Sequence, residues 1–174
     1  VAATPGTTPS LGQMVLLFVA VLLAAGAAGG LNHYYDSDID ARMARTCNRP
    51  FVTGTLTRSP LWLLFFATIL IIPVVAVWHY INPLASIFVF LGAFFYGVVY
   101  TIWLKRRTWL NIVIGGLAGS FAVLAGTAAV NPELNPLALS LAFILFLWTP
   151  PHFWSLAIAI KEDYLAAGVP MLPV

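Results

Sequence analysis

Residues 11–35 read LGQMVLLFVAVLLAAGAAGGLNHYY, with no Asp, Glu, Lys or Arg in the run. About 20 apolar residues are what an α-helix needs to cross a hydrocarbon core about 30 Å thick. The Ala/Gly-rich middle, Ala24 to Gly30, lets a neighbouring helix approach closely. Four more such runs follow, from about 60–78, 83–104, 109–130 and 136–160. In the last, Pro150 and Pro151 lack N–H groups and crowd the preceding turn, so a kink or break is expected there. The runs do not alternate as β-barrel strands do.

Composition agrees. Of 174 residues, 61% are hydrophobic and 8% charged, and mean hydropathy is +0.94. A soluble domain carries about 25% charged residues. An all-α integral membrane fold removes the need to hide this apolar surface, because lipid solvates the helix exteriors. Net charge of +2 is too small to suggest nucleic acid. Cys47 is the only cysteine, which excludes an intrachain disulfide. The chain lacks an initiator Met and stops at Met171-Leu172-Pro173-Val174, the pattern expected of a fragment or processed chain. Met14 to Gly30 does not suit a signal-peptide core, having no basic residues before it and a polar cluster after it.

Between the runs lie a polar loop, Arg42 to Ser59, and turns at His79–Asn82, Lys105–Thr108 and Asn131–Asn135. If five helices alternate in direction, the ends of the first, third and fifth share one side. That side then holds every Lys and Arg: Arg42, Arg45, Arg49, Arg58, Lys105, Arg106, Arg107 and Lys161. The positive-inside rule places it in the cytoplasm or the equivalent compartment.

The acids gather there too. Asn32, Asp36 and Asp40 are four residues apart, so on a helix they form one stripe, with Asp38 roughly opposite Asp36. Two carboxylates one turn apart at a membrane boundary repel each other. Mg²⁺ bound by one or two carboxylates plus substrate phosphates would relieve this. The alternative is a solvated helix end whose acids pair with Arg42 and Arg45. Arg45 and Arg49 lie just beyond the stripe, and arginine forks match phosphate oxygens. Lys105, Arg106 and Arg107, followed by Asn111, end the third helix; Lys161, Glu162 and Asp163 end the fifth. Each basic cluster alone suits a membrane anchor, but anchoring needs no acids.

Asn32-His33-Tyr34-Tyr35-Asp36-Ser37-Asp38-Ile39-Asp40 resembles the NxxxDxxxD motif of the UbiA superfamily of intramembrane prenyltransferases. Arg45-Thr46-Cys47-Asn48-Arg49-Pro50 resembles the RTxxRP of the heme O synthase (protoheme IX farnesyltransferase) family within it. Tyr100-Thr101, Lys105-Arg106, Thr108 to Asn111, Gly115-Gly116 and Gly119 resemble that family's YTxxxKRxTxxNxxxGGxxG. Trp148-Thr149-Pro150-Pro151-His152-Phe153-Trp154 and Lys161 to Pro173 resemble its sixth-helix region. One departure is Ser120-Phe121, where the family usually has a Pro-Pro pair.

The resemblance implies a UbiA-type multi-helix transmembrane bundle, with 1–174 a single prenyltransferase domain holding part of a nine-helix fold. It implies farnesyl transfer from farnesyl diphosphate to a vinyl group of heme b, giving heme O. Mg²⁺ on Asp36 and Asp40, with Asp163 as a second metal ligand, would assist diphosphate departure. Asn32, Lys105 and Arg106 would join Asp36 and Asp40 in catalysis; Arg45, Arg49, Lys105, Arg106 and Asn111 would bind diphosphate. Tyr34, Tyr35, Tyr96 and Tyr100 are candidates to shelter an allylic cation, or plain packing residues. Arg58 or Arg107 could meet the heme propionates. His152, after the proline pair, could contact the porphyrin or its iron, or be a satisfied interhelical histidine. His33 lies off the stripe, and His79 lies on the far side. Further implied are a bacterial plasma membrane or mitochondrial inner membrane, a cytoplasmic active face and heme A synthase as a partner. Competing readings are a UbiA-type enzyme acting on an aromatic or quinone precursor, a membrane transporter, and an assembly scaffold.

Overall fold

The computed structural model describes residues 8–172; the expectations that fall on Pro173 and the N-terminal tail lie outside them. Among the described residues there is no strand. The chain begins with α1 (Leu11–Tyr35), whose Ser10 and Gln13 form a reciprocal capping box. Short helices α2 (Ser37–Asp40) and α3 (Pro50–Thr53) lead to α4 (Leu61–Tyr80). The third span joins α5 (Pro83–Phe94) to a π-helix, π1 (Phe95–Leu104). The fourth is divided at Gly116 into α6 (Asn111–Gly115) and α7 (Leu117–Ala128). The fifth is α8 (Pro136–Ala159), followed by the short α9 (Lys161–Ala167). Five spans among the described residues are thus long and apolar enough to cross a membrane. This is a multi-pass membrane protein.

Two of the far-side turns start helices by the same device. Asn82 and Asn135 accept hydrogen bonds from the Ala85 and Ala138 N–H groups at 2.8 Å, and Pro83 and Pro136 occupy the first helical position. Asn82 also donates to the Ala128 carbonyl at 2.8 Å, and Gln13 donates to the Tyr80 carbonyl at 3.1 Å. The start of the first span therefore meets the end of the second, and the second turn meets the end of the fourth. Alternating helix direction follows.

Small residues build the core between α1, α4, α5 and α7: Ala20, Ala24, Ala28, Ala85, Ala125 and Ala128 are all buried. A Cβ on Gly30 would come within 2.4 Å of the Phe66 ring, so only glycine lets α1 and α4 pack this closely. Large side chains such as Leu22, Leu64, Ile72, Phe143 and Ile144 point outward. Lipid makes that arrangement stable.

The proline pair does not break its helix, because α8 runs through Pro150 and Pro151 to Ala159. The missing donors leave two carbonyls of the preceding turn free, a loss a membrane helix tolerates when neighbours compensate. The irregularities fall instead in the third and fourth spans, at π1 and at Gly116. At the Ser120-Phe121 departure, the Ser120 hydroxyl donates to the Ala142 carbonyl at 2.8 Å, tying α7 to α8.

Candidate active site

The Asn32, Asp36, Asp40 stripe survives a local bend. Although α1 stops at Tyr35, the Asp36 N–H still bonds the Asn32 carbonyl at 2.9 Å, and the Asp40 N–H bonds that of Asp36 at 2.8 Å. The helical register thus carries through, and both carboxylates end up buried, Asp36 at 0% exposure and Asp40 at 2%.

Each acid has a basic partner, from the third span's end for Asp36 and Asp38 and from the following loop for Asp40. Lys105 forms an ion pair with Asp36, and Arg106 reaches the other Asp36 oxygen at 3.3 Å. Arg49 pairs with Asp40 at 2.7 Å. Arg106 grips Asp38 with both guanidinium nitrogens, at 2.7 and 2.8 Å, and lies over the Tyr35 ring. The repulsion between neighbouring carboxylates is thus relieved by three cations from two places in the chain, Arg49 and the Lys105-Arg106 pair; Arg42 and Arg45 form no ion pair with them among the described residues. The Arg106 hydrogen bonds hold the Asp38 carboxyl down to about 2, and the same pairing raises the Arg106 guanidinium further.

The π-helix decides why Lys105 can reach Asp36. Tyr96 and Lys105 are nine residues apart. At 3.6 residues per turn they would lie on opposite faces. Bonding from i to i+5, seen where the Lys105 N–H meets the Tyr100 carbonyl at 2.8 Å, winds about 4.4 residues into each turn and returns them to one face. Thr101, wholly buried on the same helix, donates to the Tyr96 carbonyl at 2.9 Å and accepts from Asn32 Nδ2 at 3.2 Å. Asn32 Nδ2 also donates to Asp36 at 2.8 Å. In the sequence Thr101 is marked only by the Tyr100-Thr101 pair of the motif and by being a hydroxyl inside an apolar run; neither signals its contact with Asn32.

A cavity of about 440 Å³ opens beside this cluster. Its polar end is lined by Asn32, Asp40, Arg45, Arg49 and Lys105. Tyr96, Tyr100, Gly115, Gly116, Trp148 and Leu156 are among the residues on its apolar walls. Tyr96 and Tyr100 stack with centroids 5.5 Å apart, and a Cβ on Gly115 would press within 2.9 Å of the Tyr100 ring. Tyr164, from α9, also lines the cavity, and burial raises its phenol. The loop between α1 and α3 is held by Thr46, whose hydroxyl donates to the Asp40 carbonyl at 3.0 Å.

Several expected residues lie elsewhere. Asn111 does not line the cavity: it is wholly buried, and its amide nitrogen donates to the carbonyls of Lys105, at 3.3 Å, and Pro170, at 2.9 Å. It ties the Lys105 turn to the segment after α9. Asp163 accepts from the Arg45 backbone N–H at 3.4 Å and does not line the cavity. Among the described residues no group of three or more His, Cys, Asp or Glu is arranged to hold a metal ion. His152 is exposed on α8 and stacked on Trp148 at 4.3 Å; it shares the helical register of the cavity-lining Trp148 and Leu156 but does not itself line the cavity. Arg58 sits over the Tyr34 ring at 4.9 Å, and Arg107 is exposed; neither lines the cavity.

Comparison with known proteins accords with this arrangement. The chain is 58% identical to protoheme IX farnesyltransferase 2 of Paramagnetospirillum magneticum, over 99% of this chain and 60% of that protein. It is 49% identical to the protoheme IX farnesyltransferase of Rhizorhabdus wittichii, over 99% of this chain and 56% of that protein. It is 43% identical to that of Pyrobaculum neutrophilum, over 95% of this chain and 59% of that protein. The chain thus spans about three fifths of the length of these relatives. No solved structure matches it. The UbiA prenyltransferase family matches residues 1–174, so the motifs, the helical bundle and the similarity along the whole chain make this a member of the UbiA prenyltransferase family.

Proposed function

We propose that the protein carrying this chain transfers a farnesyl group from farnesyl diphosphate to a vinyl group of heme b, giving heme O. Residues 1–174 would act as a single prenyltransferase domain. The observation that carries the reading is the polarity of the cavity. Three basic side chains, Arg45, Arg49 and Lys105, stand with Asn32 and Asp40 at one end of an otherwise largely apolar space. That shape suits a molecule with a multiply charged head and a hydrocarbon tail.

The residues fit Mg²⁺ on one condition. Asp36 and Asp40 supply oxygen donors and Asn32 supplies an amide oxygen, but both carboxylates are already paired with cations. Among the described residues there is no all-protein cage, which suits Mg²⁺ when substrate phosphates complete its coordination. Bound there, Mg²⁺ would neutralise charge on the departing diphosphate. Asp163 would serve as an outer acid through its bond to the Arg45 backbone.

Lys105, Arg49 and Arg45 would bind the diphosphate oxygens and stabilise the charge that grows as the allylic C–O bond breaks. Arg106, held by Asp38, would keep Asp36 and Lys105 in place. The diphosphate leaves with the bonding electrons, the vinyl π electrons form the new carbon–carbon bond, and water adds to the cation left on the other vinyl carbon and gives up a proton, which supplies the hydroxyl of heme O. Tyr100 would keep water from the allylic carbon, its ring face favouring positive charge. Arg58 and Arg107, basic and outside the cavity, are the residues proposed for the heme propionates. The charged face would be cytoplasmic, by the positive-inside rule.

The test supplies membranes holding the protein with heme b, farnesyl diphosphate and Mg²⁺, and seeks farnesylated heme by mass spectrometry. Product that requires Mg²⁺, Asp36 and Asp40 is expected, with Asp36→Ala and Asp40→Ala inactive. Diphosphate release only with an aromatic acceptor would overturn the heme assignment. Folded protein that prenylates nothing would overturn the reading altogether.

A further inference from the structure

A second cavity, of about 200 Å³, lies deeper in the bundle. On the first and third spans its lining residues, the shared Tyr96 apart, stand farther from the charged face than those of the main cavity. On α1 they run from Val21 to Ala28, before Asn32; on α5 they run from Phe88 to Ala93, before Tyr96. On α7, which leads away from the charged face, they are Ala118 and Ala122. At 1.5 Å per residue, the α1 portion begins about 6 Å below Asn32 and extends to about 16 Å. Tyr96 is the only residue of this wall that carries a side-chain polar atom.

Tyr96 and Ala118 line both cavities. Ala118 is too small to divide them, so the Tyr96 ring is the partition. The ring is held there. It stacks on Tyr100, and Tyr100 is packed against Gly115, where any side chain would collide with it. The π-helix aims Tyr96 and Lys105 at the same space, so the partition stands in line with the cation that faces the polar end.

We infer that Tyr96 is a specificity-determining residue that sets how long an isoprenoid chain the site accepts, by closing the second cavity to the end of the tail. The inference rests on the prenyl-diphosphate reading of the main cavity. With Tyr96 in place, the apolar walls of the main cavity hold the tail. Without it, the two cavities join, and a tail one isoprene unit longer gains apolar contacts at its far end in place of a clash with the ring.

The experiment compares farnesyl and geranylgeranyl diphosphates in competition, with Mg²⁺ and heme b, and measures the ratio of prenylated heme products. In parallel, the unreactive thiodiphosphate analogues of both are tested for binding, which needs no acceptor. Tyr96→Ala should raise the geranylgeranyl-to-farnesyl ratio at least about tenfold, the scale on which a pocket discriminates small hydrocarbon differences. Tyr96→Phe should keep the original ratio, because the ring and not the hydroxyl is the partition. Ala122 faces the second cavity and is exposed, so Ala122→Leu fills that space without disturbing the core. Added to Tyr96→Ala, it should return the ratio towards the original value. Tyr96→Ala protein that binds both analogues with an unchanged ratio would overturn the inference and leave the prenyl reading standing. So would a changed ratio that Ala122→Leu fails to reverse. Unaltered protein that binds neither analogue would overturn the prenyl reading and this inference with it.

Discussion

Replacing Lys105 with methionine removes the cation closest to a carboxylate that has no access to solvent. Asp36 is wholly buried, and the Lys105 side chain is itself only 11% exposed. Removing one partner of a buried ion pair costs about 3–5 kcal/mol, because the remaining charge is left uncompensated. Two contacts soften the loss. Asn32 still donates to Asp36 at 2.8 Å, and Arg106 remains at 3.3 Å, although Asp38 holds most of its hydrogen-bonding capacity. The expected destabilisation is therefore at the lower limit, about 3 kcal/mol. A double-mutant cycle isolates the cause. Asp36→Asn removes the charge while keeping the shape, so Asp36→Asn with Lys105→Met should recover most of the loss, giving a coupling of about 2 kcal/mol. The assay is denaturant unfolding of the purified protein in detergent, followed by circular dichroism, for both single variants and the double. A loss below about 1 kcal/mol for Lys105→Met, or single effects that add within about 0.5 kcal/mol, would refute the buried pairing.

Other expectations follow from the same cluster. Mg²⁺ alone should raise the melting temperature little, because both carboxylates already have cationic partners, whereas Mg²⁺ with inorganic diphosphate should raise it clearly; equal shifts in a thermal scan would refute this. Asp38 has a depressed folded-state pKa of about 2, so the Arg106 clasp stabilises the fold above about pH 4 and fades as pH falls towards 2. The stability gap between the protein and Asp38→Asn should accordingly be constant from pH 5 to 7 and shrink below about pH 4; its size stays small because Asp38 is 54% exposed. Gly115→Ala forces the Tyr100 ring into the cavity, and should lower prenyl transfer about tenfold while costing about 1–3 kcal/mol of stability; an unaffected transfer rate would show that the ring can give way. Asn111→Ala frees the Lys105 turn from Pro170, and should raise KM for the prenyl diphosphate more than it lowers kcat; the reverse split, read from steady-state kinetics, would place Asn111 in the chemistry instead.

The sequence by itself determined the membrane class, the number of spans and the side on which the chemistry gathers. Hydrocarbon thickness sets the length of an apolar run, and the bias of Lys and Arg depends only on loop order. The register of Asn32, Asp36 and Asp40 was legible for the same reason: helical periodicity is local, and it persisted across the bend at Asp36. The far-side turns, His79–Asn82 and Asn131–Asn135, were legible as breaks between apolar runs, and the structure starts the next helix at the end of each.

Only the tertiary structure decided which cation meets which acid. Lys105 and Asp36 are 69 residues apart, and no local pattern couples them. Their meeting depends on the π-helical winding of Phe95–Leu104, which moves Lys105 through half a turn relative to Tyr96. Asn111 looked like a phosphate ligand because it follows a basic turn; both its amide hydrogens turned out to be spent on backbone carbonyls, one of them 59 residues away. His152 follows two prolines and so suggested a broken helix, but α8 stays continuous; His152 shares the register of the cavity-lining Trp148 and Leu156 yet stays exposed and off the cavity wall, an outcome set by packing and not by spacing. Spacing along one helix can be read from the chain; the partners of each side chain, and the two cavities separated by Tyr96, arise only when separate helices pack together.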